Sequence, residues 1–425
     1  MSRPRITIFD TTLRDGEQSP GIALQPHEKA EIAEQLERLG ADVIEAGFAI
    51  SSPGDFEGVR AVAQVAERAT VAALARSNED DVDAAVEALA GARRSRLHVF
   101  IATSPIHMER KLRLEPAEVL EQARSAVAYA RGRVDEIEFS AEDATRSDPA
   151  FLAEVCRAAI GAGATTVNLP DTVGYCLPSE YAAFLADVRA RCPELERVVL
   201  SVHCHNDLGL ATANTLAGIA AGARQVECTV NGIGERAGNA ALEEIVVALR
   251  VRADEFEVEL GVDVGQIGAT SALVSRLTGY AVQRNKAVVG ANAFAHEAGI
   301  HQDGMLKDAA TYQIIDPTEL GLTMTLPLGK HSGRHAFARA CAAAGLELDD
   351  DELRAAFQRF KRLADERKAV TLYDVFEEVP NAEETAGFPR VPPSPKSFAP
   401  KWTHEAAPAM SVAAAKPIVD EEVGR

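Results

Sequence analysis

Between residues 5 and about 260, short apolar and β-branched runs alternate with longer stretches in which apolar side chains recur every three or four positions. The short runs predict strands at 5–9, 42–47, 71–75, 97–101, 136–139, 166–169, 198–203 and 225–230. The longer stretches predict amphipathic helices between them, for example at 27–39, 56–66, 115–130, 150–160 and 181–191, the first stopped by Gly40. Eight strand-then-helix units predict an α/β fold of the (β/α)8 TIM-barrel type. A doubly wound open sheet is the competing fold, but no GxGxxG turn follows the first strand.

Beyond residue 262 helical periodicity continues without strands, and two further helices are expected at 335–344 and 350–367. The expected division is a catalytic barrel at 1–275, a linker and first helical subdomain at 276–320, a second helical subdomain at 321–379, and a tail at 380–425. The tail is rich in Pro and Ala, has little periodicity, carries the only Trp (Trp402), and is expected to lack fixed structure.

A parallel barrel carries its chemistry just past the carboxyl ends of its strands. Polar residues cluster there: Arg14 and Asp15 after strand one, Glu142 after strand five, Thr172 after strand six, His203 and His205 at strand seven, and Asn239 after strand eight. In Val202-His203-Cys204-His205-Asn206-Asp207, strand geometry puts both imidazoles on one side and turns Cys204 away. Two such imidazoles either chelate a divalent metal or hydrogen-bond as ordinary buried histidines. Asp15 and Asn239 offer the oxygen ligands that would complete an open site for Zn, Mn, Mg or Co. Such an ion acts as a Lewis acid on a carbonyl, and Arg14 beside it can stabilise a developing oxyanion. A chelated 2-keto acid also needs a contact for its carboxylate, for which Thr172 has the hydroxyl, although a helix cap is its plainer role. Glu142, His301 and Tyr312 are the acid/base candidates.

Composition narrows the partners. The 425 residues carry a net charge of -20, which repels nucleic acid and anionic membrane. The six cysteines show no CxxC spacing and are expected to be reduced thiols. No signal-peptide pattern and no membrane-length apolar run is found, so a cytoplasmic protein is expected.

The stretches FDTTLRDGEQSPG, HVFIATSPIHMERKLR, LPDTVGY, SVHCHNDLGLATANTLAG, NGIGERAGNAALEE, GIHQDGMLK and LGKHSGRHAF resemble the 2-isopropylmalate/homocitrate synthase family, over roughly residues 5–375. This is the acyl-CoA condensing branch of metal-dependent barrels that also include citramalate synthase and hydroxymethylglutaryl-CoA lyase. The resemblance implies Claisen-type condensation of acetyl-CoA with 2-oxoisovalerate and thioester hydrolysis, giving 2-isopropylmalate and CoA in leucine biosynthesis. It implies that Asp15, His203 and His205, with Asn239 or water, hold the divalent ion, and that Thr172 contacts the keto-acid carboxylate. It further implies that Arg14 stabilises charge on the reacting oxygen and that Glu142 belongs to the keto-acid pocket. His301 and Tyr312 would deprotonate or position acetyl-CoA from an extension supplied by a second copy, hence a domain-swapped homodimer.

One departure stands out. The family usually carries a leucine-binding regulatory domain at the C-terminus, whereas patterning here stops near Val379, which puts feedback inhibition by leucine in question. A natural short form, a truncated chain and a paralogue of specialised metabolism with another keto acid all fit. The same chemistry on a different 2-keto acid (homocitrate- or citramalate-type), a lyase of the hydroxymethylglutaryl-CoA type, and a non-catalytic scaffold are the alternatives. His203→Ala is predicted to abolish turnover through loss of the metal while circular dichroism shows an intact fold; near-normal turnover would exclude the metal reading.

Overall fold

The computed structural model describes residues 3–367 and 370–377. Eight parallel strands close into a barrel in sequence order. They are β1 (Thr7–Asp10), β2 (Val43–Glu45), β3 (Thr70–Arg76), β4 (Ser95–Ala102), β5 (Glu136–Glu142), β6 (Thr166–Asn168), β7 (Val199–His203) and β8 (Gln225–Cys228). Closure is made by β1 against β8, with Thr7 opposite Gln225 and Asp10 opposite Cys228. The outer ring is formed by α1 (Pro26–Leu39), α2 (Pro53–Val65), α3 (Glu79–Ala88), α4 (Pro116–Arg131), α5 (Pro149–Ala162), α6 (Pro178–Arg191), α7 (Ala211–Ala220) and α8 (Leu242–Val251).

Local chemistry sets these helix ends. Proline opens α1, α2, α4, α5 and α6, where its fixed φ suits the first turn and its missing N–H costs nothing. Ser52, Asn78 and Asp148 accept backbone N–H bonds at the starts of α2, α3 and α5. Gly40 ends α1 in the left-handed conformation at φ 90°.

The expected strands are all present, with differences at their ends. β1 starts two residues later than its apolar run, because Arg5 and Ile6 bond back to Glu259 instead. β8 stops at Cys228, and the chain then turns through Asn231 at φ 63°.

Strand periodicity divides the buried residues into two populations. Ile8, Ile44, Val71, Leu97, Val99, Phe139, Val167, Val202 and Val226 belong to one continuous apolar core that also takes in the buried faces of the helices. The alternate positions face the barrel lumen and many are polar. Arg96 donates to Glu138 Oε2 at 3.0 Å and to Gln225 Oε1 at 2.7 Å. Gln225 in turn donates to Glu138 Oε1 at 2.6 Å and to Ser201 Oγ at 3.0 Å. One layer nearer the carboxyl ends, His98 meets Glu45 Oε1 at 2.6 Å through Nδ1 and Ser140 Oγ at 2.6 Å through Nε2. Phe9, Val43 and Ala72 make a small apolar plug in this lumen. A charged interior of this kind survives because each buried charge has a partner.

The chain separates into two compact units, 1–327 and 328 onward. The first holds the barrel, the helix Ile267–Thr278 and the short helix Gly299–Lys307. The second packs the helices Arg334–Ala343, Asp350–Glu366 and Leu372–Glu377 around Phe337 and Phe360, whose ring centroids lie 5.1 Å apart. The tail expected at 380–425 lies outside the described residues. Among the described residues no helix is long and apolar enough to cross a membrane.

Phe360 is fully buried, so Phe360→Ala is predicted to destabilise the second unit by about 3–5 kcal/mol, read as faster amide exchange across 350–366. His98 supplies a pH test. Burial pushes its imidazolium to lose the proton, but the Glu45 carboxylate, with Glu227 and Glu138 behind it, outweighs burial and raises its pKa from 6.5 to about 9. Its contribution to stability is therefore complete below pH 6.5 and is lost as pH rises through about 9. NMR of the His98 ring should show titration near pH 9, and a midpoint at or below 6.5 would contradict the buried ion pair.

Candidate functional site

The carboxyl ends of the strands surround a cavity of about 340 Å³. Of the expected site residues, Arg14, Asp15, Glu142, Thr172, His203 and His205 line it. Asn239 adjoins it through its bond to Asp15. His301 and Tyr312 do not line it. They sit in the extension with ring centroids 4.5 Å apart, and His296 lies 6.4 Å from His301.

His203 ends β7, and the chain beyond it is held by backbone bonds on both sides. Asp171 N–H donates to the His203 carbonyl at 2.8 Å, and His205 N–H donates to the Asp171 carbonyl at 3.2 Å. Asn206 N–H donates to the Gly238 carbonyl at 2.9 Å, and His205 forms an antiparallel bridge with Asn239. These bonds join the loops after β7 and β8 and bring Asn239 beside the histidines. Asn239 donates from Nδ2 to Asp15 Oδ1 at 2.6 Å and to the Ile233 carbonyl at 3.1 Å. Gly234 makes room for this, because a Cβ there would fall 2.1 Å from Asn239 Nδ2 and 2.9 Å from Asp15 Oδ1.

Asp15 Oδ2 lies 3.9 Å from His203 Nε2 and 3.8 Å from His205 Nε2. The two imidazole rings are 4.8 Å apart, both are buried, and Cys204 between them faces Thr215 and Tyr181 on the helix side. His203 Nδ1 meets Glu227 Oε2 at 2.8 Å; burial pushes the Glu227 carboxyl up to about 7, and when it is ionised the ring proton sits on Nδ1 and the Nε2 lone pair faces Asp15. Burial, against the pull of Asp15, pushes both imidazoles down to about 4, so they are neutral donors of lone pairs at physiological pH. Burial alone would raise the Asp15 carboxyl, but the Arg14 guanidinium, aided by the imidazoles, holds it well below the usual carboxylate range. Asn239 Oδ1 is buried without a hydrogen-bond partner.

A charged carboxylate, two neutral imidazoles and an orphaned amide oxygen are the donor set for a divalent cation of borderline hardness. The ligand atoms of Asp15, His203 and His205 lie within 4.8 Å of one another. In a second group with such spacing, His98, Glu138 and Glu227, the candidate donors are already engaged: both His98 nitrogens meet Glu45 and Ser140, and Glu138 accepts from Arg96 and Gln225.

Arg14 is aimed at this site by two carboxylates: Nε donates to Glu45 Oε2 and Nη1 to Asp15 Oδ2, both at 2.7 Å. Glu45 is fixed further by Thr11 Oγ1 at 2.6 Å and by His98. Across the cavity, Glu142 pairs with Lys111 at 2.5 Å and has His107 at 3.7 Å. Both residues sit on a π-helical turn at 107–112. Thr172 Oγ1 accepts from Asp143 N–H at 3.0 Å, which leaves its own proton to donate. Phe48, Leu74, Phe100 and Pro170 give the cavity an apolar wall.

Sequence reasoning passed over His98 and Glu227 as site residues, together with Lys111 and Asn168. The signal for three of them was present: Arg96 and His98 on β4, Asn168 on β6, and Gln225 and Glu227 on β8 are polar residues at alternate strand positions, which in a closed barrel means the lumen. Lys111 had no such signal, since a π-helical turn leaves no simple periodicity.

Residues 5–274 match the HMGL-like family, and residues 288–368 match the homocitrate synthase post-HMGL domain-like family. The 2-isopropylmalate synthase of Heliobacterium modesticaldum is 57% identical over 372 residues, which span 87% of this chain and 73% of that protein. That of Pyrococcus furiosus is 58% identical over 372 residues, 87% of this chain and 74% of that protein. Among solved structures, the hydroxymethylglutaryl-CoA lyase of Pseudomonas aeruginosa superimposes with a TM-score of 0.58 at 24% identity. It covers 66% of this chain and 96% of its own, a likeness of fold alone. A barrel that matches one family along its length, an extension that matches that family's companion domain, and relatives more than half identical together place the chain: it belongs to the 2-isopropylmalate synthase family of acyl-transferring condensing enzymes.

Proposed function

We propose that the chain condenses acetyl-CoA with 2-oxoisovalerate and hydrolyses the resulting thioester, releasing 2-isopropylmalate and CoA for leucine biosynthesis. The observation that carries this reading is the 57–58% identity to 2-isopropylmalate synthases over most of the chain. The cavity chemistry agrees with it. Asp15, His203 and His205, with Asn239 Oδ1, are the residues that would hold a divalent ion, and when bound the ion polarises the keto carbonyl.

The other roles belong to side chains of this chain. Thr172 donates a hydrogen bond from its hydroxyl to the keto-acid carboxylate. The apolar wall of Phe48, Leu74 and Phe100 receives the branched side chain. A base removes a methyl proton from acetyl-CoA, the resulting carbanion attacks the keto carbon, and Arg14 stabilises the oxyanion as the C–C bond forms. Water then cleaves the thioester and CoA leaves as the thiol. His301 and Tyr312, which do not line the cavity of their own chain, act as base and positioning group from a second copy in a cytoplasmic homodimer. Glu142, held by Lys111, takes part in proton transfer at the far side of the cavity.

The test is CoA-thiol release with a panel of keto acids, repeated with Mn, Zn, Mg and Co after chelation. The expected outcome is a preference for 2-oxoisovalerate over pyruvate and 2-oxoglutarate of at least about tenfold in kcat/KM. Preference for either competitor would reassign the substrate, and cleavage of hydroxymethylglutaryl-CoA without condensation would reassign the reaction.

A further inference from the structure

Lys29 is among the largest fully buried side chains, at 1% exposure, and no role in the chemistry described above accounts for it. An ammonium has three donors and no acceptor, and all three find partners here. Nζ donates to the Leu13 carbonyl at 3.0 Å, to the Ala46 carbonyl at 3.1 Å and to Glu17 Oε2 at 2.6 Å. The two carbonyls are not arbitrary. Leu13 immediately precedes Arg14, and Ala46 immediately follows Glu45, the two partners of the 2.7 Å ion pair that aims the guanidinium. Glu17 lies in the turn that follows Asp15. One ammonium on α1 therefore ties together the backbone on either side of the Arg14–Glu45 pair.

Space has been made for this lysine from the far side. A Cβ on Gly58, in α2, would fall 2.9 Å from Lys29 Cδ and 3.3 Å from its Cε. A Cβ on Gly47, the residue after Ala46, would fall 3.1 Å from Nζ. A burial shaft cleared by two glycines and ending in three acceptors fixes the ammonium to one point.

We propose that Lys29 is a positioning residue that sets the aim of Arg14 and the placement of Asp15 by fixing the carbonyls of Leu13 and Ala46. The proposal rests on the reading of Arg14 and Asp15 as oxyanion stabiliser and metal ligand. Lys29 touches neither substrate nor metal and acts through the two loops. Loss of the ammonium leaves two buried carbonyls without a donor and Glu17 with only the Leu24 N–H, and the loops can satisfy them only by shifting toward water. A shift of this kind misplaces Arg14 for the transition state more than it alters ground-state binding.

The experiment uses the full chain, with Mn²⁺ alone as the metal probe. In Lys29→Met, thermal denaturation should show a folded protein while kcat falls about 100-fold and KM for acetyl-CoA stays within about twofold. The Mn²⁺ Kd, titrated without substrate, should weaken about tenfold. A folded Lys29→Met with parental kcat and Mn²⁺ affinity overturns the proposal. If Lys29→Met does not fold, Gly58→Ala, which crowds the lysine stem from α2, is read in the same way, and failure of both to fold overturns positioning in favour of a purely structural lysine. A parent that neither binds Mn²⁺ nor turns over would instead overturn the underlying reading of the site.

Discussion

The catalytic end of this barrel depends on burying a guanidinium. Arg14 is only 11% exposed, and it is balanced by Asp15, Glu45 and, at 4.0 Å, Glu227. A charge taken out of water at this depth is tolerable only with near-complete pairing. The pairing links three strands: the loop after β1, the end of β2 and β8 at Glu227. Because each carboxylate has a second duty, the arrangement propagates. Glu45 also holds His98, Glu227 also orients His203, and Asp15 also takes the amide of Asn239.

The network explains how one residue type takes opposite charge states a few ångströms apart. His98 lies among three carboxylates and is held as an imidazolium, its pKa raised to about 9 against the effect of burial. His203 and His205 are pushed down to about 4 by burial, which Asp15 opposes without overcoming. The first serves as the counter-ion of the buried carboxylates, and the other two present lone pairs. Neither role belongs to histidine as such; the balance between desolvation and the summed field of the surrounding charges decides it, burial winning at His203 and His205 and the carboxylates winning at His98.

The lumen and the outer core obey different rules, and this separates fold from function along the same strands. Outward-facing Val, Ile, Leu and Phe side chains bury apolar area against the helices and supply the drive to fold. Inward-facing Arg96, Glu138, Gln225, His98 and Glu227 are a hydrogen-bonded and ionic column that reaches from the amino ends of the strands to the cavity. Such a column specifies geometry more than it stabilises, because its members leave water at high cost.

Much of this was legible along the chain. Periodicity is a local property, so alternating runs gave the count and order of the strands. The rule that barrels react at their carboxyl ends then singled out Asp15, His203 and His205, and family resemblance implied the metal-holding role proposed for them. Glu227 and His98 were half-legible as polar residues in strand register, but their charge states depend on which side chains face them across the lumen. Lys29 was invisible, since a lysine in an amphipathic helix normally faces water, and only the gap left by Gly47 and Gly58 lets it turn inward. Sequence periodicity determines which residues share a strand face. Which strand ends meet, and therefore which charges lie within reach of one another, is decided by the closure of β8 on β1, because Coulomb energies and desolvation depend on distance in space and not along the chain.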